Sequence, residues 1–307
     1  MSITRASTII RGPAIVVLGG VTFRTKENVV FTPGTQTFDI PSSEMGIIDR
    51  RADQRMASVT FTPVGVVNAG VVAALWPHLA KLPGQSLFGA TDAECTVQPV
   101  AGGSGVRLAN ATVTGMPDID ISATKTVIGE VTVRGILADG AAWGAESHWS
   151  LADFQAPSLS GLDPAAIPTS PGTVNWGSGF ADIKTLEGVR ISFDMQTQDE
   201  SSDEDGIYDI TLTDLSATAT LTPVAGVDLS LLAARMGVFA NQLRGMSLPR
   251  NDLSVTGRDT GSLAVTLFNA ALATAPLTYG PTNRKVGELS FRGLRGTGNA
   301  VAAVTVV

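Results

Sequence analysis

Two histidines, one cysteine and one acidic run are the groups in this sequence that could serve catalysis or metal binding. His78 and His148 have no Cys, His or Glu at ligand spacing, whereas a zinc site needs three or four ligands. Cys95 lies in an alternating, strand-like run, which favours packing as a small apolar side chain. A Cys–His nucleophile pair stays open, without a local signature to support it. We expect all three residues to be structural.

The acidic run 199–206 has the start of a calcium-binding loop. With the first ligand position at Ser201, Asp203 and Asp205 also fall at ligand positions. The twelfth position is then Leu212, where a bidentate Glu is needed, and no helices flank the run. A solvated acidic loop is the better interpretation. Since no acid, base and oxyanion site assemble anywhere in the sequence, we expect no cofactor, no metal and no enzymatic activity.

The elements that position these groups occur twice in the chain, as an internal sequence repeat. Residues 46–64 return at 206–224 with 8 of 19 positions identical, at an offset of 160. Residues 129–136 return at 287–294, at an offset of 158. An internal repeat of this length indicates a duplicated domain and not a solenoid of short units.

The repeat divides the 307 residues into two units of ordinary domain size. We predict copy 1 at 1–154, a linker at 155–173 and copy 2 at 174–307. The linker carries Pro157, Pro164, Pro168 and Pro171. Hydrophobic residues make up 44% of the chain and charged residues 16%, with 33 Gly and 16 Pro. Short alternating runs of Thr, Val and Ala in this setting predict a mainly β protein rich in turns.

Charge and cysteine content restrict the partners and the compartment. The net charge of −7 is opposite in sign to that of a basic nucleic-acid-binding protein. One cysteine excludes an intramolecular disulfide. No signal peptide and no apolar run of membrane-spanning length are seen, so we expect a reduced protein made in the cytoplasm, with no membrane partner.

Each copy is predicted to be a β-sheet domain with one helix packed on it. In copy 1 the sequence predicts a hairpin of Ala14–Leu18 and Val21–Arg24, a polar loop over Pro41–Gln54, and a half-buried strand over Ala57–Val64. A helix over Ala69–Leu79, capped by Asn68, follows. The remaining predicted elements are a helix over Leu229–Leu243 capped by Asp228, and strands over Glu94–Val97, Arg107–Ala109, Thr112–Met116, Ile119–Ala123, Val127–Leu137, Leu253–Val255, Ser262–Phe268, Leu277–Tyr279, Lys285–Leu294 and Val301–Val306.

Open sheets leave two edges with unpaired backbone groups, and proteins cover such edges. A duplicated β domain with free edges can cover them by assembling with copies of itself.

This order of elements, with the phrases Phe61–Gly65 and Leu87–Gly89, resembles the tail tube fold of long-tailed bacteriophages. The duplication resembles the siphophage-type major tail tube proteins that carry two fused tube domains. The resemblance implies a tandem β-sandwich or barrel, with three chains in a ring that other phages build from six. It further implies stacked rings in the virion tail, synthesis in the bacterial host cytoplasm, and tape-measure, tail-terminator and distal tail proteins as partners. Genomic DNA would pass through the tube without specific binding.

A lumen that carries DNA should be polar and not basic, and alternating strand faces in both copies meet this requirement. The ordinary solvent face of an antiparallel sheet alternates in the same way, so both interpretations stay open. The candidate lumen-facing residues are Ser58, Thr60, Thr62, Glu130, Thr132 and Arg134 in copy 1, and Thr218, Thr220, Thr222, Glu288, Ser290 and Arg292 in copy 2.

Two equivalent loops of the copies differ in charge, which suggests a contact between subunits. A single-domain ancestor could not carry both signs usefully, because each loop would face copies of itself. The alternative is two independently solvated loops. The candidate contact residues are Arg50, Arg51 and Arg55 on one side, and Asp199, Glu200, Asp203, Glu204 and Asp205 on the other.

Other functions stay open at this level. A tail-tip component or a two-domain adhesive, carbohydrate-binding β-sandwich would display clustered aromatics, whereas the 4 Trp and 2 Tyr of this chain are scattered. An enzyme would need a catalytic constellation. A secretion-system tube of six single-domain subunits does not fit the fusion of two copies.

Overall fold

The computed structural model describes residues 13–26, 28–65, 67–89, 93–122, 126–136, 149–160, 171–177, 180–202, 206–224, 249–257, 261–274, 277–279 and 284–307. Most of these residues lie in antiparallel strands. In copy 1 the elements are β1 (Ala14–Leu18), β2 (Val21–Thr25), β3 (Val30–Ser42), β4 (Gly46–Phe61), β5 (Pro63–Val64), α1 (Ala69–Leu75), β6 (Cys95–Pro99), β7 (Gly103–Leu108), β8 (Ala111–Gly115), β9 (Ile119–Ile121), β10 (Thr126–Ile128), β11 (Val131–Gly135) and β12 (Trp149–Phe154).

Copy 2 continues with the same kind of strand. Its elements are β13 (Pro171–Asn175), β14 (Thr185–Ser202), β15 (Gly206–Pro223), β16 (Arg250–Gly257), β17 (Leu263–Thr274), β18 (Leu277–Tyr279), β19 (Arg284–Val286), β20 (Leu289–Gly293) and β21 (Ala302–Val306).

The strand order of copy 1 returns in copy 2. Copy 1 has one sheet in the order β12-β7-β6-β1-β2-β5 and another in the order β3-β4-β11-β8. In copy 2 the pairings β21-β17-β16-β13 and β14-β15-β20-β17 repeat these orders, because the long β17 takes the places of both β7 and β8. The predicted fold class, mainly β with a tandem duplication, is confirmed.

The predicted polar loop over Pro41–Gln54 is wrong. β3 and β4 form one long hairpin that stays paired as far as Ser42 opposite Gly46, and we call this hairpin arm 1. β14 and β15 form the matching arm 2, paired as far as Ser202 opposite Gly206. The predicted acidic loop is wrong in part, because Asp199 and Glu200 lie inside β14. Continuous backbone pairing across a two-stranded ribbon stabilises extended structure in segments whose polar composition suggests a loop.

The predicted first helix is confirmed at its start and is shorter at its end. The Asn68 side chain accepts a hydrogen bond from the Val71 N–H at 3.0 Å, as an N-cap should. The helix ends at Leu75 and not at Leu79. Trp76 precedes Pro77, and a residue before proline is disfavoured in helical geometry. The predicted second helix, Leu229–Leu243 with its cap Asp228, lies outside the described residues.

Three predicted strands are interrupted, and part of the predicted linker segment lies in a strand. The strand over 57–64 breaks at Thr62, and the strands over 127–137 and 285–294 each break at a Gly–Glu pair, 129–130 and 287–288. The end of the predicted linker, from Pro171 onward, pairs as β13 with β16. Each break lies where the chain passes between differently paired partners.

One hydrophobic core runs through both copies. Buried side chains of copy 1 and copy 2 form a single continuous cluster. Helix α1 lies at the boundary of the copies: the Trp76 ring centroid is 6.4 Å from that of Phe193 in copy 2. The Trp76 indole N–H donates to the Pro117 carbonyl at 3.0 Å.

Copy 1 also donates strands to the sheet of copy 2. The hairpin β9–β10 pairs through β9 with the edge of β14, so the sheet order reads β10-β9-β14-β15-β20. We call this pairing the inter-copy joint. Gly188 lies beside it with φ of +95°, and an added Cβ would collide with the Ile121 carbonyl oxygen.

Gly188→Ala should therefore destabilise the protein by about 2 kcal/mol or more, because it combines a left-handed backbone with a steric clash at the joint. Gly261→Ala is the matched control, since Gly261 has φ of +82° and open space around it; it should cost only about 1 kcal/mol. Chemical unfolding of the three proteins measures both losses. Equal losses in the two variants would contradict the close approach at Gly188.

Candidate assembly site

The inter-copy joint is a short antiparallel pairing with one apolar and one polar face. Ile121 lies opposite Val189, Asp120 opposite Arg190 and Ile119 opposite Ile191. The four aliphatic residues of this set are buried, each at 2% exposure or less. Apolar area removed from water stabilises by roughly 25 cal/mol per Å². The joint therefore extends the core from one copy into the next.

Within the described part of the chain, two ion pairs cross between the copies. Arg190 of β14 binds Asp118 at 2.9 Å, and the Ser192 hydroxyl donates to the same carboxylate at 3.3 Å. Arg134 of β11 binds Asp199 of arm 2 through both guanidinium nitrogens, each at 2.8 Å. Bidentate Arg–carboxylate pairs add geometric specificity to the charge attraction.

Arg134 is the better shielded of the two arginines. Its side chain is 16% exposed, against 65% for Arg190. Solvent screens exposed pairs strongly, so the Arg134–Asp199 pair contributes more to holding arm 2 against copy 1.

A loop of copy 1, residues 76–88, runs along arm 2, and we call it the bridging loop. The Leu87 N–H donates to the Ile210 carbonyl at 2.8 Å, and the Leu212 N–H donates to the Gln85 carbonyl at 2.9 Å. The Ser86 hydroxyl donates to Asp209 at 2.6 Å. These bonds join the loop to β15 as an additional edge.

Lys81 fixes the bridging loop from within. Its ammonium group donates to the carbonyls of Ser86 and Phe88. Burial lowers the pKa of Lys81, and the charge of Asp209 opposes that shift. The guanidinium of Arg295 donates to the Lys81 carbonyl at 2.9 Å and so ties the loop to copy 2.

The equivalent surface of arm 1 is exposed. Met45 is 78% exposed, Ile47 64% and Ile48 56%. Ile207, the counterpart of Ile47 in arm 2, is only 1% exposed. The same position is thus in the core in one arm and in solvent in the other.

The predicted lumen-facing residues share a face in each copy. Cross-strand register places Thr60 opposite Thr132 and Ser58 opposite Arg134. In copy 2, Thr220 lies opposite Ser290 and Thr218 opposite Arg292.

The rest of the predicted face lies at the same end of the strands. Thr62, directly after β4, and Thr222 of β15 are half-buried, and Glu130 and Glu288 are exposed immediately before β11 and β20. That these faces line a lumen stays a prediction.

The predicted charge contacts fall at the two arms. Arg50, Arg51 and Arg55 lie on β4, and their side chains are outside the described part of the chain. Asp203, Glu204 and Asp205, at the tip of arm 2, are also outside it.

The other two acids already have partners within the chain. Asp199 binds Arg134, and Glu200 accepts from the Thr211 hydroxyl at 3.1 Å. A contact between subunits through these five acids stays a prediction.

The histidine and the cysteine that the structure describes are packed residues. The His78 Nε2 lies 3.2 Å from the Thr112 hydroxyl. Burial, and then the charge of Lys81, lower the pKa of His78 to about 4. Burial raises the pKa of Cys95 to about 12, so its thiol stays protonated and unreactive. His148 lies outside the described residues.

A cavity of about 550 Å³ lies beside His78, and no Asp or Glu is among the described residues that line it. Within the described residues, no group of three or more His, Cys, Asp or Glu side chains could hold a metal ion. None of the helices described there is long and apolar enough to cross a membrane.

Sequence reasoning missed the residues that join the copies. Asp118, Arg190 and the bridging loop carry no motif. Arg134 and Asp199 did carry a signal, because Arg292 and Asp39 occupy the equivalent positions at offsets of 158 and 160. A charge pair preserved in both copies indicates a shared contact.

Comparison with known proteins gives weak structural matches. No protein-family model and no curated protein matches the sequence. A chain in the virion of a native gene transfer agent particle aligns with 19% identity and a TM-score of 0.30, over 44% of this chain and 94% of its own length. A chain in the tail of the empty particle, which has C6 symmetry, gives the same values.

The buried His78 makes stability depend on pH. Its folded pKa of about 4 lies below the ordinary value of 6.5, so the unfolded chain binds more protons between these values. Stability should therefore fall as the pH drops from about 6.5 to about 4, by about 2–3 kcal/mol from this residue. Urea unfolding across this range should show a shallower decline in His78→Gln than in the parent protein. Identical pH profiles would contradict the neutral, buried state of His78.

Proposed function

We propose that this protein is a structural virion protein that assembles into the tail tube of a bacteriophage. Three chains form a ring with six similar β units, the rings stack, and the tube conducts DNA during ejection. The chain acts by assembly and carries no catalysis. Its place is the virion tail, after synthesis in the host cytoplasm.

The inter-copy joint carries this proposal. It connects two similar units side by side, in a head-to-tail sense, because a hairpin of copy 1 adds to the sheet edge of copy 2. Head-to-tail contacts generate rings when the rotation closes and filaments when it does not. Two units already joined in this way within one chain are a segment of such an array.

The charge distribution suits a conduit for DNA. The net charge is −7, and the shared strand faces of both copies carry hydroxyl groups beside acids and a few arginines. DNA-binding proteins gain affinity by neutralising phosphates with clustered Lys and Arg. A wall without such clusters lets the duplex slide without holding it.

The arms suit contacts between rings. Both are long two-stranded ribbons, and arm 1 exposes Met45, Ile47 and Ile48 near its tip. Exposed apolar groups on an extended element are typical of interaction surfaces. Tape-measure, tail-terminator and distal tail proteins would meet the tube in its lumen and at its ends.

Electron microscopy of the purified protein should show rings or tubes with a central pore. Three-dimensional averaging should give three chains per ring, with pseudo-sixfold symmetry. Six chains per ring would contradict the proposed stoichiometry. Monodisperse monomers that bind glycans on an array would favour the adhesive module instead.

Charge reversal tests the predicted contact between Arg and acidic arms. Arg50→Glu with Arg51→Glu should impair assembly, and Asp203→Lys with Glu204→Lys in the same chain should partly restore it. Each exposed pair contributes only about 0–1 kcal/mol, but repetition along a tube adds these contributions. Sedimentation at low and high salt measures assembly. Normal assembly of the double-Glu variant at both salt concentrations would show that the arms do not pair through these charges.

A further inference from the structure

We infer that the hairpin β18–β19 of one chain adds to the edge of β3 in the next chain, so that the partner of this edge is a second copy of the protein. The inference rests on the proposed assembly and assigns its contact residues. It follows from the inter-copy joint, in which the hairpin β9–β10 is the donor and the edge of β14 is the acceptor. Each of these two elements has a counterpart in the other copy.

The counterpart of the donor is the hairpin β18–β19, and the counterpart of the acceptor is the edge of β3; the two do not pair with each other within the described part of the single chain. β9 and β10 correspond to β18 and β19 at an offset of 158, and β14 corresponds to β3 at an offset of 160. Among the described strands, β18 and β19 pair only with each other, and β3 pairs only with β4. A free edge presents a row of backbone donors and acceptors that can pair with another chain.

The known joint fixes the register of the second one. Transferring its three pairs places Tyr279 opposite Val29, Thr278 opposite Val30 and Leu277 opposite Phe31. The donor segment 277–279 keeps the order apolar, polar, apolar of residues 119–121. Since side chains alternate between the faces of a strand, this register continues the apolar face of the sheet across the boundary.

The two acceptor strands, β14 and β3, differ in burial. The difference is the one expected if β3 lacks the added strand that covers β14. Val189 and Ile191, whose edge is covered by β9, are 1% and 0% exposed. Their counterparts Val29 and Phe31 are only half-buried, and Val30 between them is 53% exposed. The edge of β3 therefore leaves apolar side chains partly in solvent, where the equivalent residues Val189 and Ile191 at the covered edge of β14 are buried.

A charge pair that is preserved in both copies independently indicates that a second copy of the protein is the partner of this edge. Arg134 of copy 1 binds Asp199 of copy 2, and the equivalent positions hold Arg292 and Asp39. Arg292 is exposed in the single chain. In the next chain along the array, Arg292 of the donor reaches Asp39 of the acceptor by the same geometry.

The sequences of the two joints differ at the positions of the ion pair, and there both residues of the pair are replaced. The ion pair Arg190–Asp118 is replaced by Val30 and Pro276 at the equivalent positions. Two apolar residues are compatible, whereas replacement of one partner alone would leave a charge against an apolar group. The sequence at the second joint thus holds two apolar residues where the first joint holds an exposed ion pair.

A cysteine pair across the inferred joint tests the register. In a Cys95→Ala background, Val30→Cys with Thr278→Cys should form a disulfide between chains under mild oxidation, because directly opposed strand residues lie within disulfide distance. A non-reducing gel should show dimers and trimers and no larger product if the ring closes. Arg190→Cys with Asp120→Cys is the positive control and should close within one chain. Ile48→Cys with Thr278→Cys is the off-register control and should remain monomeric.

Blocking the edge tests its role in assembly. Val30→Lys should raise the concentration needed for assembly at least tenfold, while circular dichroism and the melting temperature of the monomer stay unchanged. Leu151→Lys is the matched control, since Leu151 is 58% exposed, and it should assemble normally.

Arg292→Asp should also impair assembly, and the added exchange Asp39→Arg should restore it.

The outcomes separate this inference from the proposed function. Rings without the Val30–Thr278 cross-link, assembled normally by Val30→Lys, would overturn the inferred joint and leave the tube intact. Cross-linked open chains without a pore would support the joint and overturn the tube. Monomers without cross-links at any concentration would overturn both.

Discussion

The edge of a β-sheet is the constraint on which this structure depends. Each open edge leaves backbone N–H and C=O groups that must be paired or hydrated. Within the chain, β9 covers the edge of β14, and the bridging loop covers part of β15. These two contacts join the copies and close one continuous core around α1. Among the described strands, the free edge of β3 pairs with no other strand, and a second copy of the chain is the partner we infer for it.

The charged residues determine which strands lie beside each other more than they determine the free energy of the contact. Arg134 and Asp199 meet in bidentate geometry across the copies, whereas Arg190 and Asp118 form a more exposed pair. Exposed pairs contribute little free energy, but a wrong pairing leaves a charge without its partner. Apolar burial at Ile119, Ile121, Val189 and Ile191 therefore supplies affinity, and the arginines select which strand lies beside which.

Duplication allows the two joints and the two arms to differ. In an array of identical units, every joint carries the same residues. The joint within the molecule forms between segments of one chain and keeps an ion pair, whereas the inferred joint between chains would have to form from solution. Arm 1 exposes Ile47 where arm 2 buries Ile207. A three-chain assembly would therefore be built from alternating, non-identical contacts.

Local pattern determined much of the fold. The alternation at Ala57–Phe61, the Asn68 cap and the repeat at offsets of 160 and 158 predicted strand, helix start and duplication, because these signals act between residues near in sequence or copied from one another. The polar stretch over 41–54 was mispredicted, since pairing in a long hairpin depends on the facing strand. The donation of β9 to β14, the Arg134–Asp199 pair and the burial of His78 were decided only by tertiary structure, because each joins residues far apart in the chain. The sequence predicted two similar units, and three-dimensional packing decided which edges they share.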